Sequence, residues 1–250
     1  MKRFVFFFLF SIFLGNIFAA DNSLSGFVST GVQSEYLVRI GTIFSKSPIL
    51  VNVVEVDYED YYLGIWNSTG LTRHQYGSTY ADEWDLYGGW AHSFGPIKLD
   101  LSGSYFGLSK LDHIRDDMWI AEQEISYPKF PFFQPYVRSR YFGSVDGARK
   151  PGWFVFGGLR KNMSFGHSFA ERPFSLNLDA STAYGAGALH DFNGFVYGRL
   201  YASLDIPLSK SMTIGPNLIY QVAVPGQRSD PNGFTDGNKF VYGFNFRWAF

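Results

Sequence analysis

Cysteine is absent from all 250 residues. Its absence removes disulfide frameworks, thiolate metal sites, a cysteine nucleophile and a lipoprotein anchor together. Beyond residue 20 no stretch reaches the roughly eighteen consecutive apolar residues that a transmembrane helix needs, so a helical membrane protein is excluded. An excess of basic charge is missing too. The 21 Lys and Arg against 22 Asp and Glu leave a net charge of −1, a balance unsuited to a nucleic-acid partner. The five histidines, 74, 92, 113, 167 and 190, show no metal-ligand spacing, and no metal or cofactor is expected.

The N-terminus carries an address. Lys2 and Arg3 precede the apolar stretch Phe4–Phe10, which continues through Leu14 to Ala19-Ala20 and then a polar Asp21. A basic start, a short apolar core and small residues at its exit read as a signal peptide over 1–20, cleaved to leave one domain over 21–250. Cleavage removes Lys2 and Arg3 and no acid, so the mature chain becomes slightly more acidic. A secreted chain without disulfides can hold together as a closed hydrogen-bonded barrel, which leaves no strand edge free.

Aromatic residues make up 20 % of the chain, and alternation is strongest at the C-terminus. Phe240, Tyr242, Phe244, Phe246, Trp248 and Phe250 share one face there, opposite Val241, Gly243, Asn245, Arg247 and Ala249. That is a strand greasy on one side only, suited to lipid outside and water inside. Similar segments recur at 27–43, 48–57, 61–69, 82–93, 97–106, 118–127, 134–142, 152–162, 173–183, 194–206, 211–224 and 239–250. Short breaks such as Tyr58-Glu-Asp60 and Phe94-Gly-Pro96 alternate with long polar ones such as Gly70–Ala81, Gly107–Asp117, Gly143–Pro151, Tyr184–Asn193 and Pro225–Asn238. The pattern predicts an all-β, transmembrane, antiparallel up-and-down barrel with both termini periplasmic. About twelve strands are expected; the long break Met163–Arg172 leaves ten or fourteen open. Pro216, on the apolar face, predicts a bulge or break in the ladder.

Polar parity assigns Glu35, Arg39, Glu55, Asp57, Glu83, Asp85, Lys98, Asp100, Glu122, Glu124, Arg138, Arg140, Arg160, Asp179, Arg199, Asp205 and Arg247 to the interior. Carboxylates dominate the second to sixth strands and arginines the seventh, eighth, tenth and twelfth, which predicts an acidic wall facing a basic one. The residues expected to line a pore are Glu83, Asp85, Lys98, Asp100, Glu122, Glu124, Arg138, Arg140, Arg160, Arg199 and Arg247. Glu122 and Glu124 should pair across strands with Arg138 and Arg140, and a purely structural salt-bridge network is the competing role for these four. Tyr87, Tyr136, Tyr197 and Tyr201 share the interior parity, as stacking surfaces for sugars or bases.

Enzymatic barrels demand particular spacings. His92-Ser93 and His167-Ser168 are adjacent, which on a strand puts them on opposite faces, so neither forms a base and nucleophile pair. Asp112-His113 and His190-Asp191 fall in outer loops and read as solvated residues.

Gly26–Gly41, Tyr61–Asn67 and Glu83–Trp90 resemble the TorF-type porins of Gram-negative bacteria, over about the first third of the mature chain. Phe250 closing an amphipathic strand resembles the signal recognised by the barrel-assembly machinery. Together the residues and these resemblances imply an outer-membrane channel, reached through the periplasm, for passive diffusion of small hydrophilic solutes. Its partners would be outer-membrane lipid, the assembly machinery and the solutes, with homo-oligomers open. A closed structural or adhesive barrel binding a partner through its loops is the alternative, and a barrel enzyme the third.

Overall fold

The computed structural model describes residues 24–41, 43–72, 82–108, 117–145, 147, 150–168, 170–187, 192–224 and 237–250. The expected leader 1–20 lies outside them, as do most of the long loops, with His74, Asp112-His113 and His190-Asp191. The strands are β1 (Leu24–Gln33), β2 (Tyr36–Leu37), β3 (Ile43–Ser45), β4 (Ile49–Tyr58), β5 (Tyr61–Gly70), β6 (Glu83–Phe94) and β7 (Ile97–Gly107). They continue as β8 (Met118–Ser126), β9 (Gln134–Ser144), β10 (Gly152–Phe165), β11 (Phe174–Gly187), β12 (Phe192–Pro207), β13 (Met212–Ala223) and β14 (Lys239–Ala249). β1 and β4 to β14 form a closed antiparallel barrel in chain order, while β2 and β3 make a separate small hairpin.

Closure is made by β1, which pairs with β4 on one side and β14 on the other. The seam ends at Phe250, whose N–H donates to Gly26 O and whose carbonyl accepts from Gly26 N–H, both at 3.1 Å. Such pairing is what an apolar surrounding demands, since no water is there to satisfy a free strand edge. A Cβ at Gly26 would stand 2.9 Å from Cζ of Phe250, so only glycine lets the terminal ring settle across the seam.

Short turns gather at one end and long connections at the other. Tyr58 faces Tyr61, and Phe94 faces Ile97, so two-residue turns join β4 to β5 and β6 to β7. Gly95 takes φ 64° before Pro96, the first-position glycine that matches a tight turn to the twist of a hairpin. The doubtful break between β10 and β11 resolves as longer strands, with Phe165 still opposite Phe174 across the turn at 166–173. Twelve strands close the barrel.

The outer surface is an apolar belt. Leu63, Leu86, Leu101, Ile125, Val137, Leu159, Leu200 and Tyr242 are all exposed on it. Trp84 against Tyr105, and Trp119 against Tyr141 against Trp153, mark its long-loop edge, while Tyr58, Tyr61, Phe94, Phe130, Phe132 and Phe133 sit exposed at the other. Two aromatic rims around an apolar band are the surface of a membrane-spanning barrel.

Two local readings meet corrections, and the expected break at Pro216 is present. The first strand, expected over 27–43, ends at Gln33, after which residues 34–41 and 43–48 lie outside the wall. Val196, which strict alternation with the inward Tyr197 and Arg199 would set on the outer face, is buried, because the register slips between Ala183 and Tyr184 and the bulge turns Val196 inward beside Tyr197. The ladder between β12 and β13 lapses after Ser203–Asn217 and resumes in register at Ile206–Ile214, beside the proline that cannot donate.

Candidate functional site

The interior is graded along the barrel axis. At the long-loop end Met118, Ile120, Phe142, Phe154, Phe156, Ala183, Val196 and Tyr197 pack with Leu108 and Ile40 into one buried apolar cluster. All but Ile40 and Leu108 come from the ends of β8 to β12. Ile40 comes from the 34–48 segment, which crosses the interior as a strap.

Both flanks of the strap are tied to the wall. Lys239 Nζ and Gln221 Nε2 donate to Gly41 O at 2.7 and 2.8 Å, Tyr197 OH donates to Arg39 O at 2.7 Å, and Arg199 Nη2 donates to Val38 O at 3.1 Å. These four donors come from β12, β13 and β14 and satisfy carbonyls left unpaired when the segment abandons the ladder. From the other flank Tyr36 OH donates to Glu83 Oε2 on β6 at 2.6 Å, and its ring packs against Trp66, centroids 5.5 Å apart. Glu83 and Asp85, two residues apart on one face, lie buried beside it at 1 % and 7 % exposure. Among the described residues Oε1 of Glu83 and Oδ1 of Asp85 find no hydrogen-bond donor.

Mid-barrel holds an ion ladder. The register sets Glu122 opposite Arg140, Glu124 opposite Arg138 and Arg160 opposite Asp179. Arg140 Nε donates to Glu122, Arg138 Nη2 to Glu124 at 2.5 Å, and Arg160 reaches Glu124 at 2.6 and 2.8 Å and Asp179 at 3.2 Å. Arg39 of the strap approaches Glu122 at 3.8 Å. The ladder uses every rung: three wall arginines meet three carboxylates, so its charge cancels locally rather than projecting across the interior.

Interior tyrosines lie against glycines of the neighbouring strand. A Cβ at Gly158 would stand 2.6 Å from Cε1 of Tyr136, and Tyr87 covers Gly64 in the same way. Their hydroxyls donate to carboxylates, Tyr87 to Glu55 at 2.7 Å and Tyr136 to Asp179 at 3.1 Å. Tyr62 repeats the bond to Asp100 at 2.8 Å. The stacking surfaces expected from parity are reduced by this packing. Tyr136 carries Arg160 over its ring at 3.8 Å on top of Gly158, and Tyr197 is buried under Arg199 at 4.2 Å. Tyr87 and Tyr201 remain half-buried.

Towards the short turns the interior becomes polar and open. Asn162, Asn177, Ser175, Ser203 and Asp205 form a hydrogen-bonded row on β10, β11 and β12. Arg247 lies over the Phe27 ring at 3.8 Å and makes no ion pair among the described residues. Lys98 and Asp100 also lie on the interior side, in register with Ser126 and Glu124 of β8. Of the eleven expected pore residues, Glu83, Asp85 and Arg199 are therefore bound up with the strap. Glu122, Glu124, Arg138, Arg140 and Arg160 form the ladder, and Lys98, Asp100 and Arg247 occupy the open end. His92 points outward between Trp90 and Phe94, its Nδ1 2.6 Å from Asp60 Oδ2, with Ser93 on the opposite face.

No family model matches this sequence and no curated protein does, so the TorF-type resemblance remains an expectation. Solved structures do match in fold. A KdgM porin superposes with a TM-score of 0.56 at 7 % identity, covering 90 % of this chain and 99 % of its own. A NanC porin gives 0.55 at 8 %, covering 89 % and 98 %. A KdgM porin in complex with disordered oligogalacturonate gives 0.54 at 8 %, covering 90 % and 99 %. The chain thus has the closed-barrel fold of these outer-membrane porins.

Proposed function

We propose that this protein is exported through the periplasm by its leader and spans the bacterial outer membrane as a channel for small hydrophilic solutes. The termini and short turns would face the periplasm. The observation that supports this best is the polar, partly open interior inside an apolar belt. A barrel that only anchored loops would have no use for an open, polar-lined pocket at its short-turn end. On this reading the strap is the narrow point, and selectivity comes from Lys98, Asp100 and Arg247 together with Glu55 and Asp57, since the ladder charges cancel. Planar-bilayer recording of the refolded mature chain tests it. Discrete openings are expected, with a reversal potential that moves towards cations in Arg247→Gln. Silence from demonstrably folded protein would sink the channel.

A second reading has its own observation. The apolar cluster around Phe142, Phe154 and Ile40 fills part of the long-loop end like a protein core, which suits a closed barrel that works through its outer loops. Absence of conductance even when the strap is loosened, together with loss of partner binding on loop deletion, would favour it.

A further inference from the structure

We propose that Glu83 and Asp85 share one proton, and that this proton latches the strap to β6, so that the interior widens when the pair loses it. The widening rests on the channel reading; the shared proton and the latch do not.

Each ladder carboxylate meets an arginine, whereas Glu83 and Asp85 form no ion pair among the described residues. They stand two residues apart on the inward face of β6, at 1 % and 7 % exposure and within hydrogen-bond reach of one another. Register sets Asp85 between Trp66 of β5 and Phe106 of β7, and Glu83 opposite Ser68 of β5, so neither carboxyl has a cation beside it in the sheet. Two charged or titratable groups of other elements reach the pair among the described residues. Tyr36 of the strap donates its hydroxyl to Glu83 Oε2 at 2.6 Å, and Arg140 of β9 acts on Asp85 and Tyr36 through space while giving its Nε to Glu122. Arg39, the strap's nearby cation, turns to Glu122 instead.

One oxygen of each carboxyl is left without a donor, Oε1 of Glu83 and Oδ1 of Asp85. Two ionised carboxylates here would both lose their hydration and repel each other across a short gap. A single proton removes both penalties. The protonated carboxyl donates to its neighbour, filling the vacant acceptor, and the one charge that remains keeps the hydrogen bond from Tyr36. Loss of that proton sets two charges side by side, parts the carboxyls, and draws in water where the Tyr36 ring packs on Trp66. The other flank of the strap is held by Tyr197, Arg199, Gln221 and Lys239, none of them acidic near neutral pH, so the strap turns about that flank rather than leaving.

The refolded full mature chain tests this from about pH 6 to about pH 10, above the range in which ordinary carboxyls ionise. Infrared difference spectra should show the carbonyl stretch of a protonated carboxyl that disappears as the pH rises, and that Asp85→Asn and Glu83→Gln each lack. Hydrogen exchange of the strap peptide 34–41, corrected for its intrinsic pH dependence, should quicken at least about tenfold over the same range, the worth of one charge-assisted hydrogen bond. Asp85→Asn, whose amide donates as the shared proton does, should keep the slow exchange throughout, and Glu83→Gln serves in its place should that variant misfold. Tyr36→Phe should exchange fast at every pH and keep the infrared band. A wild type without the band, or strap exchange indifferent to pH, would overturn the proposal. A pH response that survives Asp85→Asn and Glu83→Gln would do the same, since it would belong to Lys239. Bilayer recordings separate the two readings. Exchange that follows pH in protein without conductance upholds the latch and removes the channel, whereas conductance with exchange blind to pH removes the latch and leaves the channel.

Discussion

The two ends of the barrel interior are built from the same strands, with the same alternation, and yet are different materials. At the long-loop end the inward positions of β8 to β12 hold Met118, Ile120, Phe142, Phe154, Phe156 and Ala183, packed around a segment of the chain itself. At the short-turn end the inward positions of β11 and β12 hold Ser175, Asn177, Ser203 and Asp205, in a hydrogen-bonded row. An inward position is therefore not the same as a wet one. What separates the two ends is whether another part of the chain arrives to cover the side chains, and the strap arrives only at the long-loop end.

The comparison can be broken first at the ladder that divides the two ends. Arg138→Ala with Arg140→Ala leaves Glu122 and Glu124 with Arg160 and the distant Arg39, and stranding buried carboxylates costs about 3–5 kcal/mol. Urea unfolding of the barrel in lipid vesicles should show that loss, and a stability within error of wild type would mean that water already bathes the ladder. Next is the apolar end. Phe154→Ala, at a fully buried ring, should cost about 3–5 kcal/mol by the same assay, and Phe165→Ala, at an exposed rim, much less. Equal losses at the two sites would dissolve the contrast between a packed end and an open one.

Loosening the strap is the third probe. Gln221→Ala with Lys239→Ala removes both donors to Gly41 O and should cost about 1–3 kcal/mol. Its distinctive outcome is higher single-channel conductance, and an unchanged conductance would show that the strap is not the narrow point. The smallest effect is expected at the open mouth. Arg247→Gln should change stability by less than about 1 kcal/mol, since no ion pair is lost, while shifting ion selectivity towards cations. A large destabilisation there would place Arg247 with the structural arginines.

Much of this architecture is readable along the chain. Alternation locates all twelve barrel strands, because a strand between lipid and interior must change polarity at every residue. The Glu122–Arg140 and Glu124–Arg138 pairing is also legible, since equal spacing on adjacent antiparallel strands leaves one register that satisfies both. Where parity misleads, the cause is local and physical. Residues 34–43 keep an alternating pattern, Glu35 and Arg39 against Tyr36 and Ile40, yet they leave the wall, because their apolar residues pack inside the barrel rather than facing lipid. Val196 changes side through a bulge that composition does not announce. The glycines under Tyr87 and Tyr136 are the signal that could have shown which interior rings lie flat, because Gly64 and Gly158 stand opposite them in register.

By itself, then, the sequence determined a closed transmembrane barrel of about twelve strands and its two faces, because those follow from the period of polarity and from the absence of any apolar helix or disulfide to hold the chain another way, while the structure settled the count at twelve. Only the tertiary structure decided which interior charges cancel, which rings have both faces occupied, and that residues 34–48 cross the interior. Those outcomes depend on contacts between residues as far apart as Gly41 and Lys239, brought together only when β14 closes on β1.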